Sequence, residues 1–108
     1  MLLVVRDGLG NVQTITAQST GTPTDRSGVI AGAVSQPLMV ANALRSGYVV
    51  QNTGSQPMTV SELGTDATAA NSFQLGVGQF FPPAGYIITQ GAVNIAGLAG
   101  DTYVAREW

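Results

Sequence analysis

Apolar residues along this chain occur in short runs separated by Gly, Pro, Asn and Asp. In no segment do they recur at positions i, i+3, i+4 and i+7 over the length that a helix requires. The runs are rich in Val, Ile, Thr and Tyr, which suit a pleated and half-buried surface. In the run 57–63, Met58 and Val60 alternate with Thr59 and Ser61, the period of two that is typical of a strand with one wet face. The pattern predicts an all-β protein.

The first two runs predict a β-hairpin at the N-terminus. They cover residues 2–6 and 12–17 and are joined by Asp7-Gly8-Leu9-Gly10-Asn11, which supplies the Gly and Asn that tight reversals require. Residues 18–27 are polar and contain Gly21 and Pro23, as in a linker. Because an isolated hairpin is only marginally stable in water, it needs a partner. We therefore divide the chain into a hairpin arm with its linker, 1–27, and a body, 28–108.

The body is predicted to contain eight strands. Residues 41–46 are interpreted as a short connector or one helical turn, 82–85 as a turn that contains two prolines, and 97–101 as a hairpin connection. Turn signals recur about every eight to twelve residues, as in a sandwich or a small barrel. The predicted strands are 28–33, 36–40, 48–52, 57–63, 72–75, 86–89, 92–96 and 102–108.

Composition adds an expectation about assembly. The chain has 108 residues and no Cys, which fits one domain without disulfides or a thiolate metal site. Only 9% of its residues are charged, against about 25% in an ordinary soluble domain. Either Ser, Thr, Asn, Gln and Gly cover the surface, or other subunits cover much of it. Because a free monomer normally relies on mixed surface charge, the second interpretation is favoured, and we expect a homo-oligomer.

Charge and hydropathy also bear on the partner. The net charge is −2, and Arg6, Arg26, Arg45 and Arg106 are scattered, whereas binding to phosphates needs clustered Lys and Arg. The apolar start reaches Arg6 too soon for a signal peptide, and no run approaches the ~18 residues that span a bilayer. We therefore expect a soluble protein made in the cytoplasm, with neither nucleic acid nor a membrane as partner.

The sequence offers little chemistry. It lacks His, Lys and Cys. Apart from carboxylates whose pKa is shifted by burial, these side chains most often supply a general base or a nucleophile. Asp7, Asp66 and Asp101 stand next to Gly or Thr, where Asp bonds the local backbone in turns. Glu62 and Asp66 are the only close pair of carboxylates, and no calcium-loop or phosphate-loop pattern occurs. We predict that the protein is not an enzyme and has no catalytic residue, metal or cofactor.

The aromatic residues leave one ligand hypothesis open, because exposed aromatic faces are common in sugar sites. Most of them are interpreted as core residues, whereas a Trp near the end of the chain is difficult to bury without a groove and is favoured as an anchor on a neighbouring subunit. The aromatics are Tyr48, Phe73, Phe80, Phe81, Tyr86, Tyr103 and Trp108. The predicted interface residues are Leu2, Leu3, Val4, Val5, Val12, Ile15 and Trp108.

Several segments together resemble a set of small virion proteins of tailed bacteriophages. The resemblance covers nearly the whole chain and consists of turns and strands without a catalytic signature. The segments are Arg6-Asp7-Gly8 with 11–16, Asp25-Arg26-Ser27-Gly28, Arg45-Ser46-Gly47-Tyr48 with Gln51-Asn52, 59–65, and 102–108.

The resemblance implies a small β-sandwich, jelly-roll-like, on the surface of the phage head. The function it implies is that of a capsid decoration or cement protein, a homo-oligomer with the trimer favoured, whose partner is the major capsid protein. The alternative is a tail, fibre or head-spike module that binds a host-surface glycan.

Overall fold

The computed structural model describes residues 22–32 and 34–108 in full, and the backbone of the strands 2–6 and 12–16. Eleven strands are present among these residues, and no helix. They are β1 Leu2–Arg6, β2 Val12–Thr16, β3 Thr24–Asp25, β4 Gly28–Val29, β5 Gln36–Met39, β6 Tyr48–Asn52, β7 Met58–Ser61, β8 Phe73–Leu75, β9 Phe80–Phe81, β10 Val93–Ala96 and β11 Thr102–Glu107.

Two antiparallel sheets pack face to face as a small β-sandwich. One has the strand order β5-β10-β7-β8, and the other has the order β3-β11-β6-β9, with β4 also paired to β11. Strand β5 contains Pro37 and lies at a sheet edge, where the missing N–H of proline is tolerated. Strands β1 and β2 form a separate antiparallel pair in which Leu2 lies opposite Thr16.

The core lies between the sheets because the strands alternate buried and exposed positions. On β11, Tyr103 and Ala105 are buried while Thr102 and Val104 are exposed, as the period of two requires. The other buried apolar residues of this core are Ile30, Leu38, Met39, Tyr48, Val50, Met58, Val60, Leu75, Phe81, Val93 and Ile95.

The same alternation places a polar side chain at each end of the core. Asn52, the last residue of β6, is fully buried, and its Nδ2 donates to the carbonyl oxygens of Gln56 and Leu75 at 2.8 and 2.9 Å. Glu107, the last residue of β11, is buried at the opposite end. Because a buried polar group without a partner is costly, each end must contain groups that satisfy it.

The all-β prediction is confirmed, and the strands at 48–52 and 73–75 lie where the pattern placed them. The prediction of a strand over 86–89 is wrong. Tyr86 and Ile88 pack on the core, but the carbonyl oxygen of Thr89 accepts a hydrogen bond from an arginine side chain instead of from a neighbouring strand. The alternation of apolar and polar residues indicates which face of a segment is buried. A strand also needs a neighbouring strand that forms hydrogen bonds with its backbone. The short strands β3, inside the predicted linker, and β9 were not predicted, and the jelly-roll topology stays a prediction.

Candidate interaction surface

One end of the sandwich is organised around the buried side chain of Arg45. Its Nη1 donates to the carbonyl oxygens of Thr89 and Gly91 at 2.9 and 2.8 Å, and its Nη2 donates to that of Val40 at 2.7 Å. Its Nε lies 3.4 Å from Oε1 of Glu107. A guanidinium has five donors in a fixed fork, so one side chain ties two connectors to the end of β11.

Glu107 receives two further hydrogen bonds. Arg26 donates from Nε to Oε2 at 2.7 Å, and Asn42 donates from Nδ2 to Oε1 at 2.9 Å. Burial by itself would raise the pKa of Glu107, but the hydrogen bonds from Asn42 and Arg26 and the positive charge of Arg45 outweigh it and hold the pKa below 4.5, its ordinary value. The carboxylate is therefore ionised and fully engaged inside the end of the sandwich.

The C-terminal tryptophan is fixed on the same end. The backbone N–H groups of Ser46 and Gly47 donate to the carbonyl oxygen of Trp108 at 2.6 and 3.0 Å, and its own N–H donates to Gly47 at 3.0 Å. A Cβ on Gly47 would lie 2.5 Å from Cζ2 of the indole, so the ring rests directly on this glycine. The side chain nevertheless remains 40% exposed.

Large apolar side chains point into solvent around this hub. Leu44 is 88% exposed and Ile87 is 78% exposed, each on a connector that Arg45 or Asn42 ties down. Leu63 lines a cleft beside Ile87 and is also exposed. We call this surface the apolar end; it consists of Val40, Leu44, Leu63, Ile87 and Trp108.

The N-terminal segment enters the body at the apolar end. Thr24 of β3 lies opposite Glu107, and Asp25 lies opposite Arg106, so the chain before Thr24 continues from the position of Trp108. The side chains of the predicted interface residues Leu2, Leu3, Val4, Val5, Val12 and Ile15 lie outside the described residues, as does the loop 7–11. Of the predicted interface residues, the structure describes the side chain of Trp108.

The opposite end is held by an aspartate and a different set of connectors. Asp101 accepts hydrogen bonds from the hydroxyl and the N–H of Ser55 at 2.8 and 2.9 Å and from the N–H of Gln56 at 3.0 Å. The hydroxyl of Ser55 contributes most to lowering the pKa of Asp101 below its usual value. Asp101 was predicted to bond the backbone of its own turn; its carboxylate instead holds the distant connector that contains Ser55 and Gln56. Val77 and Leu98 are exposed at this end.

A second surface feature is a cleft of about 340 Å³ beside strands β8 and β9. Its aromatic walls are Phe73, 46% exposed, and Phe80, 60% exposed. Phe81 is buried below them, with its ring centroid 5.3 Å from that of Phe73. We call this the aromatic cleft; its other lining residues are Gln74, Leu75, Gln79 and Pro83.

The remaining carboxylate pair does not converge on one site. Glu62 lines a small cleft with Leu63 and Ile87, whereas Asp66 lines a different groove beside Thr59. Among the described residues, no group of three or more Asp, Glu, His or Cys is placed to hold a metal ion. The described part of the chain also contains no helix long and apolar enough to cross a membrane.

Little charge is left free on the described surface. All three arginines of the described body form ion pairs, Arg26 and Arg45 with Glu107 and Arg106 with Asp25. The buried ring of Tyr48 packs under Arg45, whose Cζ lies 5.6 Å from the ring centroid. Burial raises the pKa of Tyr48 to about 12. The described body therefore presents no arginine without an ion-pair partner.

No family model, curated protein or solved structure matches this chain. Sequence reasoning named Trp108 but missed Leu44, Leu63 and Ile87 at the same end. A lone apolar residue in a connector is ordinary on a protein surface, and only the meeting of several connectors makes these residues a patch. The aromatic cleft was missed because Phe73 and Phe80 belong to different sheets.

Proposed function

We propose that this protein is a capsid decoration protein of a tailed bacteriophage, which stabilises the head shell by binding across contacts of the major capsid protein. The observation that carries the proposal is the apolar end, where five large apolar side chains are exposed at the end of the sandwich that the buried pair Arg45 and Glu107 braces. Monomeric proteins rarely expose large contiguous apolar patches, and those that exist often mark interaction sites.

The internal bracing of the apolar end supports a role in a rigid contact. Arg45 joins the connectors through Val40, Thr89 and Gly91 to Glu107, so Leu44 and Ile87 project from a fixed base. Binding to such a surface loses less conformational entropy than binding to mobile loops. A cement protein needs this property, because its contacts must hold neighbouring shell subunits at a constant distance.

The separate pairing of β1 with β2 supplies a second contact element. A two-stranded hairpin alone is marginally stable, and the body begins with Thr24 opposite Glu107, next to Trp108. The arm, β1 with β2, and the apolar end are proposed as two contact elements with the shell. The expected assembly is a homo-oligomer, with a trimer favoured, since shell proteins surround local threefold positions.

The second candidate function is a tail, fibre or head-spike module that binds a host-surface glycan. The aromatic cleft favours it, because Phe73 and Phe80 expose aromatic area beside two glutamines. This function requires few copies in a particle, whereas decoration requires many.

The copy number in purified virions, measured relative to the major capsid protein by quantitative mass spectrometry, separates the two functions. A ratio near one is the expected result and supports decoration of the shell. A few copies per particle would contradict decoration and favour the receptor-binding module. Absence from washed virions would contradict both functions.

A further inference from the structure

We infer that the aromatic cleft is a binding site for a neutral saccharide. The inference does not rest on the decoration role, because the cleft uses none of the side chains that form the apolar end. Its volume of about 340 Å³ lies at the lower end of the range of ~300–1,000 Å³ that is usual for small-molecule sites.

The two kinds of side chain in the cleft match the two kinds of surface on a sugar ring. A pyranose has an apolar face of C–H groups and an edge of hydroxyl groups. The exposed rings of Phe73 and Phe80 offer flat apolar area that pairs with C–H groups. The amide of Gln79, a lining residue, provides donors and an acceptor, as hydroxyl groups require.

The amide of Gln79 is held in a fixed orientation. Its Oε1 accepts a hydrogen bond from the backbone N–H of Gly76 at 2.8 Å. A Cβ on Gly76 would lie 2.8 Å from the same oxygen, so the side chain packs against this glycine. Among the described residues, the Nε2 atom of Gln79 donates to no protein group. Two N–H donors are thus positioned in advance, which lowers the entropic cost of binding.

The cleft also indicates that the ligand is uncharged. None of its lining residues ionises, since they are Phe, Gln, Leu and Pro. An anionic sugar would need an arginine, but Arg26, Arg45 and Arg106 are all ion-paired elsewhere in the body. A second copy of this chain is the other occupant of an apolar groove, and the experiment below distinguishes it from a sugar.

The experiment is a two-dimensional ¹H–¹⁵N NMR titration of the full chain with maltohexaose, cellohexaose and chitohexaose. Polygalacturonate serves as the charged counter-probe. The expected result is that at least one neutral probe, at about 10 mM, which is roughly tenfold above a millimolar Kd, moves the amide signals of residues 73–81. Signals of the apolar end, such as that of Leu44, should not move.

Two pairs of variants test the roles of the ring and the amide. Phe80→Leu should weaken binding about three- to tenfold, whereas Phe80→Tyr keeps the ring and should bind as the wild type does. Gly76→Ala should displace the amide of Gln79 and weaken binding. Gly32→Ala is its matched control, because a Cβ at Gly32 would meet nothing within 4 Å.

Four results would overturn the inference: no shift with any neutral probe, equal binding by Phe80→Leu, preferential binding of polygalacturonate, or shifts of the cleft signals that depend on protein concentration alone. The last of these would assign the cleft to a second copy of the chain. Signal dispersion in each variant spectrum reports whether the variant is folded, and Phe80 is exposed enough for replacement without loss of the core. None of these outcomes affects the copy-number measurement that tests decoration.

Discussion

Nε of Arg45 lies 3.4 Å from Oε1 of Glu107, and both side chains are shielded from water at the end of the core. The pair exists because the alternation along β11 turns Glu107 inward after Tyr103 and Ala105. A carboxylate in that position requires partners, and Arg45 also satisfies the carbonyl oxygens of Val40, Thr89 and Gly91. One buried cation thus stabilises both the end of the core and the base of the apolar end.

We expect Arg45→Met to lower the free energy of unfolding by about 3–5 kcal/mol, the usual cost of removing one partner of a buried ion pair. The variant leaves three carbonyl oxygens without their donor. Urea denaturation followed by circular dichroism measures the loss. Arg106→Ala breaks the exposed pair with Asp25 and should cost less than about 1 kcal/mol. Equal effects of the two substitutions would show that Arg45 is not the centre of this end.

Stability should fall as the pH falls through the acidic range. The folded-state pKa of Glu107 lies below its ordinary value of 4.5, so the unfolded chain binds a proton first as the pH falls. The contribution of Glu107 is therefore complete above about pH 4.5 and is lost as the pH falls through the folded-state pKa. Asp101, whose pKa is also lowered, acts in the same direction at the other end of the sandwich.

Urea midpoints measured between pH 7 and pH 3 test this dependence. Glu107→Gln should be less stable than the wild type at neutral pH and should show a smaller decrease on acidification. Its decrease should not vanish, because Asp101 still titrates in this variant. If the variant and the wild type showed parallel pH profiles, the ion pairs of Glu107 would not contribute to the pH dependence.

Gly47→Ala should displace the indole of Trp108, because the added Cβ would lie 2.5 Å from its Cζ2. The chain contains one Trp, so its fluorescence reports this movement directly, and we expect emission at longer wavelength. Crowding of this kind usually lowers the free energy of unfolding by about 1–3 kcal/mol. We expect a smaller loss here because the ring is partly exposed. Gly32→Ala, in open space, should leave the spectrum unchanged. An unchanged spectrum in Gly47→Ala would contradict the packing of the ring on this glycine.

Charges placed on the apolar end should prevent binding to phage heads. Leu44→Asp and Ile87→Asp alter exposed side chains, so each variant should fold, and each would bury an unpaired carboxylate in the proposed contact. Co-sedimentation with heads that lack the protein measures the binding. Val77→Asp, at the opposite end of the sandwich, is the matched control. If Leu44→Asp bound to heads as well as the wild type does, the apolar end would not be part of the contact.

Deleting residues 1–17 should abolish binding to heads and leave the body folded. The described body has its own core and does not include β1 or β2 in either sheet. Thermal unfolding checks the body, and co-sedimentation checks the binding. Normal decoration by the truncated protein would show that the arm is not a contact element.

Local pattern predicted most of the strands. Tyr48–Asn52 alternates because side chains in a strand point to opposite faces, and that rule acts within a few residues. Ser61, predicted on the wet face of its strand, is instead fully buried. The same rule predicts the buried positions of Met58 and Val60. The residues 86–89 show its limit, since burial on one face does not provide a hydrogen-bonding neighbour.

The functional surfaces depended on distant parts of the chain. Trp108 was named from its residue type alone, but the glycine under its ring lies 61 residues earlier, at Gly47. The connectors that carry Leu44 and Ile87 meet because Arg45 and Asn42 bond the segment 89–91. No spacing in the sequence encodes that meeting.

The sequence by itself determined an all-β chain with few charges, without His, Lys or Cys, and with turns that separate short strands. These properties follow from residue type and from the period of two, which are local. The tertiary structure decided which exposed apolar residues form one surface, which carboxylate is buried against arginine, and which aromatic rings line a cleft. Those facts depend on the pairing and stacking of strands far apart in the chain, because burial is a property of the whole packed molecule.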